Sequence, residues 1–208
     1  MIRLMNIQDS NFQYRLFTAR DIDRLPTRCQ GEPDEIRDRI SRIGASAMMV
    51  FDGQKHIGQL QFRPYVPNTV SPAGLYDPLY WMDFQSYAPS DLSRNTLALF
   101  CYHVGQTDNT QDRDPHYFGK GIGLSLLDKT LEWAESAAFE AVIAKGCPGY
   151  RPIIEFMGGM PSDVYRKRGF KIAAVYVDQE LKSIVERMNW ECAPDKASEI
   201  AVCIRYFS

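Results

Sequence analysis

No two of the five cysteines form a CxxC pair, none has the spacing of metal ligands, and their number is odd. A zinc ribbon and a closed disulfide framework are therefore both unexpected, and no metal site is predicted. Cys101 and Cys203 lie in apolar, strand-like runs, which suits buried or free thiols in a reducing compartment. A positive surplus is missing too: 24 Lys and Arg stand against 26 Asp and Glu, for a net charge of −2. That leaves no electrostatic footprint for nucleic acid. No apolar run approaches the roughly 20 residues a membrane span needs. The N-terminal residues show no long apolar core of a signal peptide, so the expected location is the cytoplasm.

What is present is enough for one sizeable domain, expected over residues 1–208. Residues 12–19 read as a first strand, and 21–28 and 33–43 as helices. Ile36, Ile40 and Ile43 recur at helical spacing, with Gly44 as a stop. Residues 46–51 and 56–63 read as strands joined by the hairpin signal Asp52-Gly53. Residues 64–95 are irregular, with five prolines interleaved with Tyr65, Tyr76, Tyr80, Trp81, Phe84 and Tyr87. Such a segment covers a substrate site or a contact between two copies, or is a self-packed loop with a strand near 80–86. Strand 97–104, a polar exposed stretch 106–116, and helix 122–139 follow. Next come strand 141–144, helices 152–157 and 162–168 broken at 158–161, strand 172–177, helix 179–189 and strand 200–207. Strands and helices alternate around one mixed sheet, an α/β arrangement.

The most informative stretch is Phe118-Gly119-Lys120-Gly121-Ile122-Gly123-Leu124-Ser125. Three alternating glycines abut the best helix in the chain, whose stripe is Ile122, Leu126, Leu127, Leu131, Ala134 and Ala138. The first N–H groups of a helix have no intrahelical partner, and a side chain at these positions would block a ligand. The pattern suits phosphate oxygens, although a tight connection with no ligand has the same sequence. It matches neither the dinucleotide fingerprint nor the P-loop.

Strand 97–104, this loop and helix 122–139 together resemble the acyl-CoA-binding core of the GCN5-related N-acetyltransferases (GNAT). Val164-Tyr165-Arg166-Lys167-Arg168-Gly169-Phe170 resembles that family's second signature, a helix with tyrosine followed by Gly-Phe. The resemblance implies the GNAT fold, with a central mixed sheet flanked by helices. It implies acetyl-CoA as co-substrate, its pyrophosphate on main-chain N–H groups of residues 119–124 beside Phe118 and Ser125. Its pantetheine arm would lie along strand 97–104, near Tyr102 and Val104. It implies direct transfer of the acetyl group to an amine, with Tyr165 protonating the departing thiolate. Packing between helix and sheet is the other reading of Tyr165.

The chain departs from that pattern. Phe118 stands where the family usually has Arg or Gln, and Lys120 either supplies the missing charge or is solvated. Glu or His, often found on alternate residues of the family's central strand, is replaced by Ala98, Phe100 and Tyr102. His103 falls on the opposite face from Tyr102 and reads as a core or supporting residue. Asp83, Glu155 and His116 are the candidates for a base, alongside a water chain. Cys147 is not expected to be a nucleophile. The leading expectation is an N-acetyltransferase of a small-molecule amine. The alternatives are acetylation of a protein or peptide amine, and a catalytically inactive CoA-binding sensor or scaffold.

Overall fold

The computed structural model describes residues 12–67, 84, 87–108, 110 and 112–207. Among these residues, eight strands form a mixed sheet flanked by helices. The chain divides into two compact units, Met1–Leu60 with Tyr102–Glu132, and Gln61–Cys101 with Trp133–Ser208. Strands β3 (Lys55–Pro64) and β4 (Thr96–Val104) run through both.

In the first unit, β1 (Gln13–Leu16) pairs antiparallel with β2 (Ala47–Asp52), Gln13 opposite Phe51. Helix α1 (Pro33–Ile43) starts as its sequence dictates. Pro33 takes the first position, where no N–H is needed. Glu35 reaches back to accept from the Glu32 N–H at 3.0 Å. Gly44 ends it at φ +84°. Ile36 is buried with Phe17, Ile22, Ala47, Met49 and Phe51, and Ile40 packs against this cluster. The spacing of the isoleucines thus places one face of α1 in the core.

The helix expected over 21–28 is not formed. Two 3-10 turns, Ala19–Asp21 and Arg28–Gln30, take its place. The Asp21 carboxylate accepts from the Thr18 N–H and hydroxyl at 2.8 and 3.0 Å and pairs with both Arg15 amino groups. These local bonds compete with helix propagation, and Arg28 then adopts φ +58°. Gln106, expected on an exposed stretch, is buried instead. Helix α2 (Ile122–Ser136) begins as expected and stops three residues early, Ala138 turning at φ +58°.

In the second unit, β5 (Ala141–Cys147) lies between β4 and β8 (Glu199–Tyr206), with β7 (Lys171–Val177) outside β8. β5 outruns its expected end at 144 because Lys145 and Gly146 pair with Val202 and Ala201. Short helices α3 (Arg151–Met157) and α4 (Ser162–Arg166) flank the two-residue β6 (Met160–Pro161), which pairs with Gly146 and Cys147. Helix α5 (Gln179–Met188) buries Leu181, Ile184 and Val185. Helix α6 (Pro194–Ala197), not foreseen, precedes β8. The strand expected near 80–86 falls largely outside the described residues.

Candidate active site

Parallel pairing of β4 with β5 runs only from Thr96–Leu99 against Ala141–Ala144. Beyond that point Gly146 of β5 pairs with Ala201 of β8 on one side and Met160 of β6 on the other. β5 turns its far end to β6, so the ladder parts in the middle of the sheet. Tyr102, in the C-terminal half of β4, is buried and Val104 half-buried. On the other side of β4, Gly58 of β3 is required by close approach. A β-carbon there would lie 2.3 Å from the carbonyl oxygen of His103 and 3.2 Å from Cα of Val104.

From β4 the chain turns at Gly105, whose N–H donates to Ile57 at 2.8 Å and whose carbonyl accepts from Asp114 at 2.7 Å. A 3-10 turn, Pro115–Tyr117, leads into the glycine loop. Tyr117 is its buried anchor. Its hydroxyl donates to Asp52 at 3.3 Å, Phe12 meets it edge-on at 6.3 Å, and Lys55 and Lys120 lie over its ring. The anchor fixes where the loop starts.

Gly119 and Gly121 adopt φ +72° and +73°, a region that favours glycine, and a β-carbon at either would meet nothing within 4 Å. Backbone conformation, together with open space in front, accounts for these two glycines. Gly123 is different: it is already helical. The first bond of α2 runs from Ser125 N–H to Gly121 carbonyl at 3.0 Å. The N–H groups of Ile122, Gly123 and Leu124 precede it and have no intrahelical acceptor. A 15-residue helix adds its positive dipole end at the same place.

The side chains around these N–H groups are mixed. Phe118 is 41% exposed and Leu124 is exposed, so the flank is apolar where an arginine would serve phosphate. Lys120 supplies the loop's cation and donates from Nζ to Nε2 of His116 at 2.9 Å. His116 therefore accepts at Nε2, and that nitrogen is engaged. Glu155 accepts from Arg151 Nε at 2.7 Å in a surface pair. Asp83 lies outside the described residues.

Tyr165 belongs to the second unit, on α4, and is 1% exposed. Its ring lies 5.1 Å from Phe170, and its carbonyl accepts from the N–H groups of Arg168 and Phe170 at 2.9 and 3.2 Å. Gly169 makes this turn at φ +82°. The Tyr-to-Gly-Phe spacing is thus a helix end that folds Phe170 back onto Tyr165. Cys147 is buried, and burial pushes its thiol up to about 12, which keeps it protonated.

His103 is 7% exposed, with Nδ1 2.6 Å from Oε1 of Gln106. A carboxamide oxygen only accepts, so Nδ1 carries the proton and Nε2 the lone pair. His56 is also buried, edge-on to Phe51 at 5.6 Å. Burial, assisted by the Arg28 charge, lowers its pKa to about 4. Neither role for Gln106 nor the burial of His56 had a motif to announce it. The alternation of β3 and β4 was the available signal for the two histidines.

No protein-family profile and no curated protein sequence matches the chain. Solved structures do. An N-acetyltransferase from Staphylococcus aureus Mu50 superposes with a TM-score of 0.51 at 15% identity, covering 95% of this chain and 99% of that one. A GNAT-family acetyltransferase from Streptococcus pneumoniae gives 0.51 at 13% identity, over 94% and 99%. The mosquito arylalkylamine N-acetyltransferase like 5b gives 0.52 at 13%, over 94% and 100%. The parted β4 and β5, the glycine loop at the head of α2 and these full-length likenesses agree: this chain has the fold of the GNAT acetyltransferases.

Proposed function

We propose that this protein is an acetyl-CoA-dependent N-acetyltransferase whose acceptor is the amine of a small molecule. The observation that carries the reading is the row of unpartnered N–H groups at Ile122, Gly123 and Leu124, opening α2 just after the parted strand β4. An anion belongs at such a row. The pyrophosphate of acetyl-CoA supplies one, with Lys120 adding charge where Phe118 adds none. The fold neighbours are described as N-acetyltransferases, one of them of arylalkylamines, which supports transfer to nitrogen.

In this reading the pantetheine arm takes main-chain hydrogen bonds near Tyr102 and Val104. A neutral amine attacks the thioester carbonyl. The C–N bond forms as the carbonyl becomes an oxyanion, then the C–S bond breaks and CoA leaves as thiolate. Tyr165 donates its hydroxyl proton to that sulfur, and the ammonium nitrogen loses a proton to solvent or a base. Direct transfer needs no enzyme nucleophile, which fits a Cys147 held protonated. All five cysteines are outside disulfides, which fits a reducing compartment such as the cytoplasm.

The test is release of CoA thiol from acetyl-CoA in the presence of a panel of small amines and of peptides with free N-termini. Amine-dependent release with at least one small amine supports the reading. Release with peptides alone shifts the acceptor class. Tight CoA binding with no release on either panel would leave a CoA-binding sensor, the reading that an apolar Phe118 favours.

A further inference from the structure

We infer that Arg15, Arg20 and Arg24 line a binding site for the dianionic phosphate group of a small, soluble phosphate ester. They face a cavity of about 680 Å³ whose other walls include Asp21, Leu25 and Phe51. All of these residues belong to the first compact unit. A cavity of this size suits a small molecule. No residue of the glycine loop lines it, and it stands independently of the acetyl-transfer reading.

Buried Asp21 positions all three arginines. Its carboxylate accepts from the Thr18 N–H and hydroxyl and from both amino groups of Arg15, at 2.8–3.0 Å. Its carbonyl accepts from the N–H groups of Arg24 and Leu25 at 3.0 and 2.9 Å, which fixes the turn that carries Arg24. Arg20 lies on the 3-10 turn Ala19–Asp21, and its Nε donates to the Thr18 hydroxyl at 3.3 Å. The Arg15 guanidinium also rests over the Phe51 ring, 4.9 Å from its centre. A fork held by a carboxylate and a ring loses little further freedom when an anion arrives.

Positive charge is left over. A carboxylate has about four acceptor positions, and Asp21 spends its own on Thr18 and Arg15. The neighbouring acid, Asp23, faces Arg37 at 3.8 Å. Among the described residues, nothing bonds or pairs with the Arg24 guanidinium, and Arg20 has only its Thr18 contact. Two guanidinium charges thus remain uncompensated, on a chain whose net charge is −2. A phosphate monoester brings about the same charge of opposite sign, and its oxygens match guanidinium forks. Leu25 offers an apolar wall to the organic part of the ester. No motif marked the site, because the bonds of Asp21 rather than a fixed spacing gather its arginines.

The experiment titrates inorganic phosphate and phenyl phosphate into the full-length protein carrying isotope-labelled arginine, at constant ionic strength. Arginine Nε–Hε resonances report the site locally, so phosphate at the glycine loop does not imitate it. The expected result is a saturable shift of the Arg20 and Arg24 signals at one ligand per chain, with phenyl phosphate tighter by about threefold or more through its apolar contact. Arg20→Gln and Arg24→Gln, both at exposed positions, should each weaken binding about three- to tenfold while the melting temperature holds. Shifts that do not saturate, or unchanged affinity in both variants, would overturn the site. Phenyl phosphate binding no tighter than inorganic phosphate would leave an adventitious ion only, and would overturn the ester. So would Arg20-dependent sedimentation with phosphatidic acid vesicles in a protein that ignores phenyl phosphate, since the phosphate would then belong to a lipid headgroup.

Discussion

Lys120 and His116 are joined Nζ to Nε2 across 2.9 Å, so the cation of the glycine loop is held by a neighbour four residues upstream rather than ranging through solvent. The same Nζ lies 5.6 Å from the centre of the Tyr117 ring. A lysine placed in this way is a ready point charge for a phosphate arriving at the head of α2. Lys120→Met should weaken CoA binding about three- to tenfold, the lower range of a charge-assisted bond at an exposed site. Calorimetry at low and high salt checks it. The wild-type advantage should shrink as salt rises, and no advantage at low salt would mean that Lys120 is only solvated.

Gly121 and Gly123 should respond differently to alanine. Gly121 sits at φ +73° with open space before it, so Gly121→Ala costs about 1–2 kcal/mol of stability through the backbone alone. Gly123 is helical, and Gly123→Ala should raise stability by roughly 1 kcal/mol. Its methyl group would nonetheless crowd a phosphate on the neighbouring N–H groups. Thermal denaturation paired with CoA titration separates the two effects. A Gly123→Ala protein that melts higher and binds CoA weaker is the expected result.

Acid should destabilise the protein in a window that His56 defines. Its folded pKa of about 4 is below the unfolded value of about 6.5, so the unfolded chain binds the extra proton between them. Stability therefore falls as pH falls from about 6.5 towards 4, by roughly 3 kcal/mol in all. Asp21 acts at lower pH. Burial raises its pKa, but Arg15 and Thr18 outweigh burial and hold the carboxyl below its ordinary value. Its contribution is present above the unfolded carboxylate pKa and is lost as acid titrates the folded group. Denaturant unfolding of His56→Leu against wild type should show a flatter limb between pH 4 and 6.5. Parallel limbs would count against a buried neutral His56.

Tyr165→Phe removes one oxygen from a residue that is otherwise fully packed. As proton donor to the departing thiolate, Tyr165 should matter to kcat and little to acetyl-CoA affinity. The expected loss in kcat is roughly tenfold to a hundredfold, the lower part of the range for general acid catalysis. A wild-type rate would make Tyr165 a packing residue against Phe170 and pass the proton to solvent or another group.

Elements whose side chains decide their own conformation were readable in the sequence. The isoleucines of α1, with Pro33 and Gly44 at its ends, and the glycines before α2 are of this kind. Elements decided by long-range partners were not. The expected helix over 21–28 gave way to the Asp21 carboxylate, which serves Thr18 and Arg15 instead. Gln106 reads as a polar loop residue until His103 is seen to bury its oxygen. At the candidate site, the loop was legible because N–H donors need only local geometry. The parting of β4 from β5 was not, since register between distant strands leaves no local mark.

The central claim is that the head of α2 binds the phosphates of acetyl-CoA. Calorimetric titration of acetyl-CoA into the wild type, Gly121→Glu and Gly123→Glu tests it most directly, with circular dichroism as the check on folding. The account predicts saturable binding to the wild type and none to either folded variant, because a carboxylate would occupy and repel the phosphate position. Equal affinity in all three proteins, or no binding to the wild type, would contradict it.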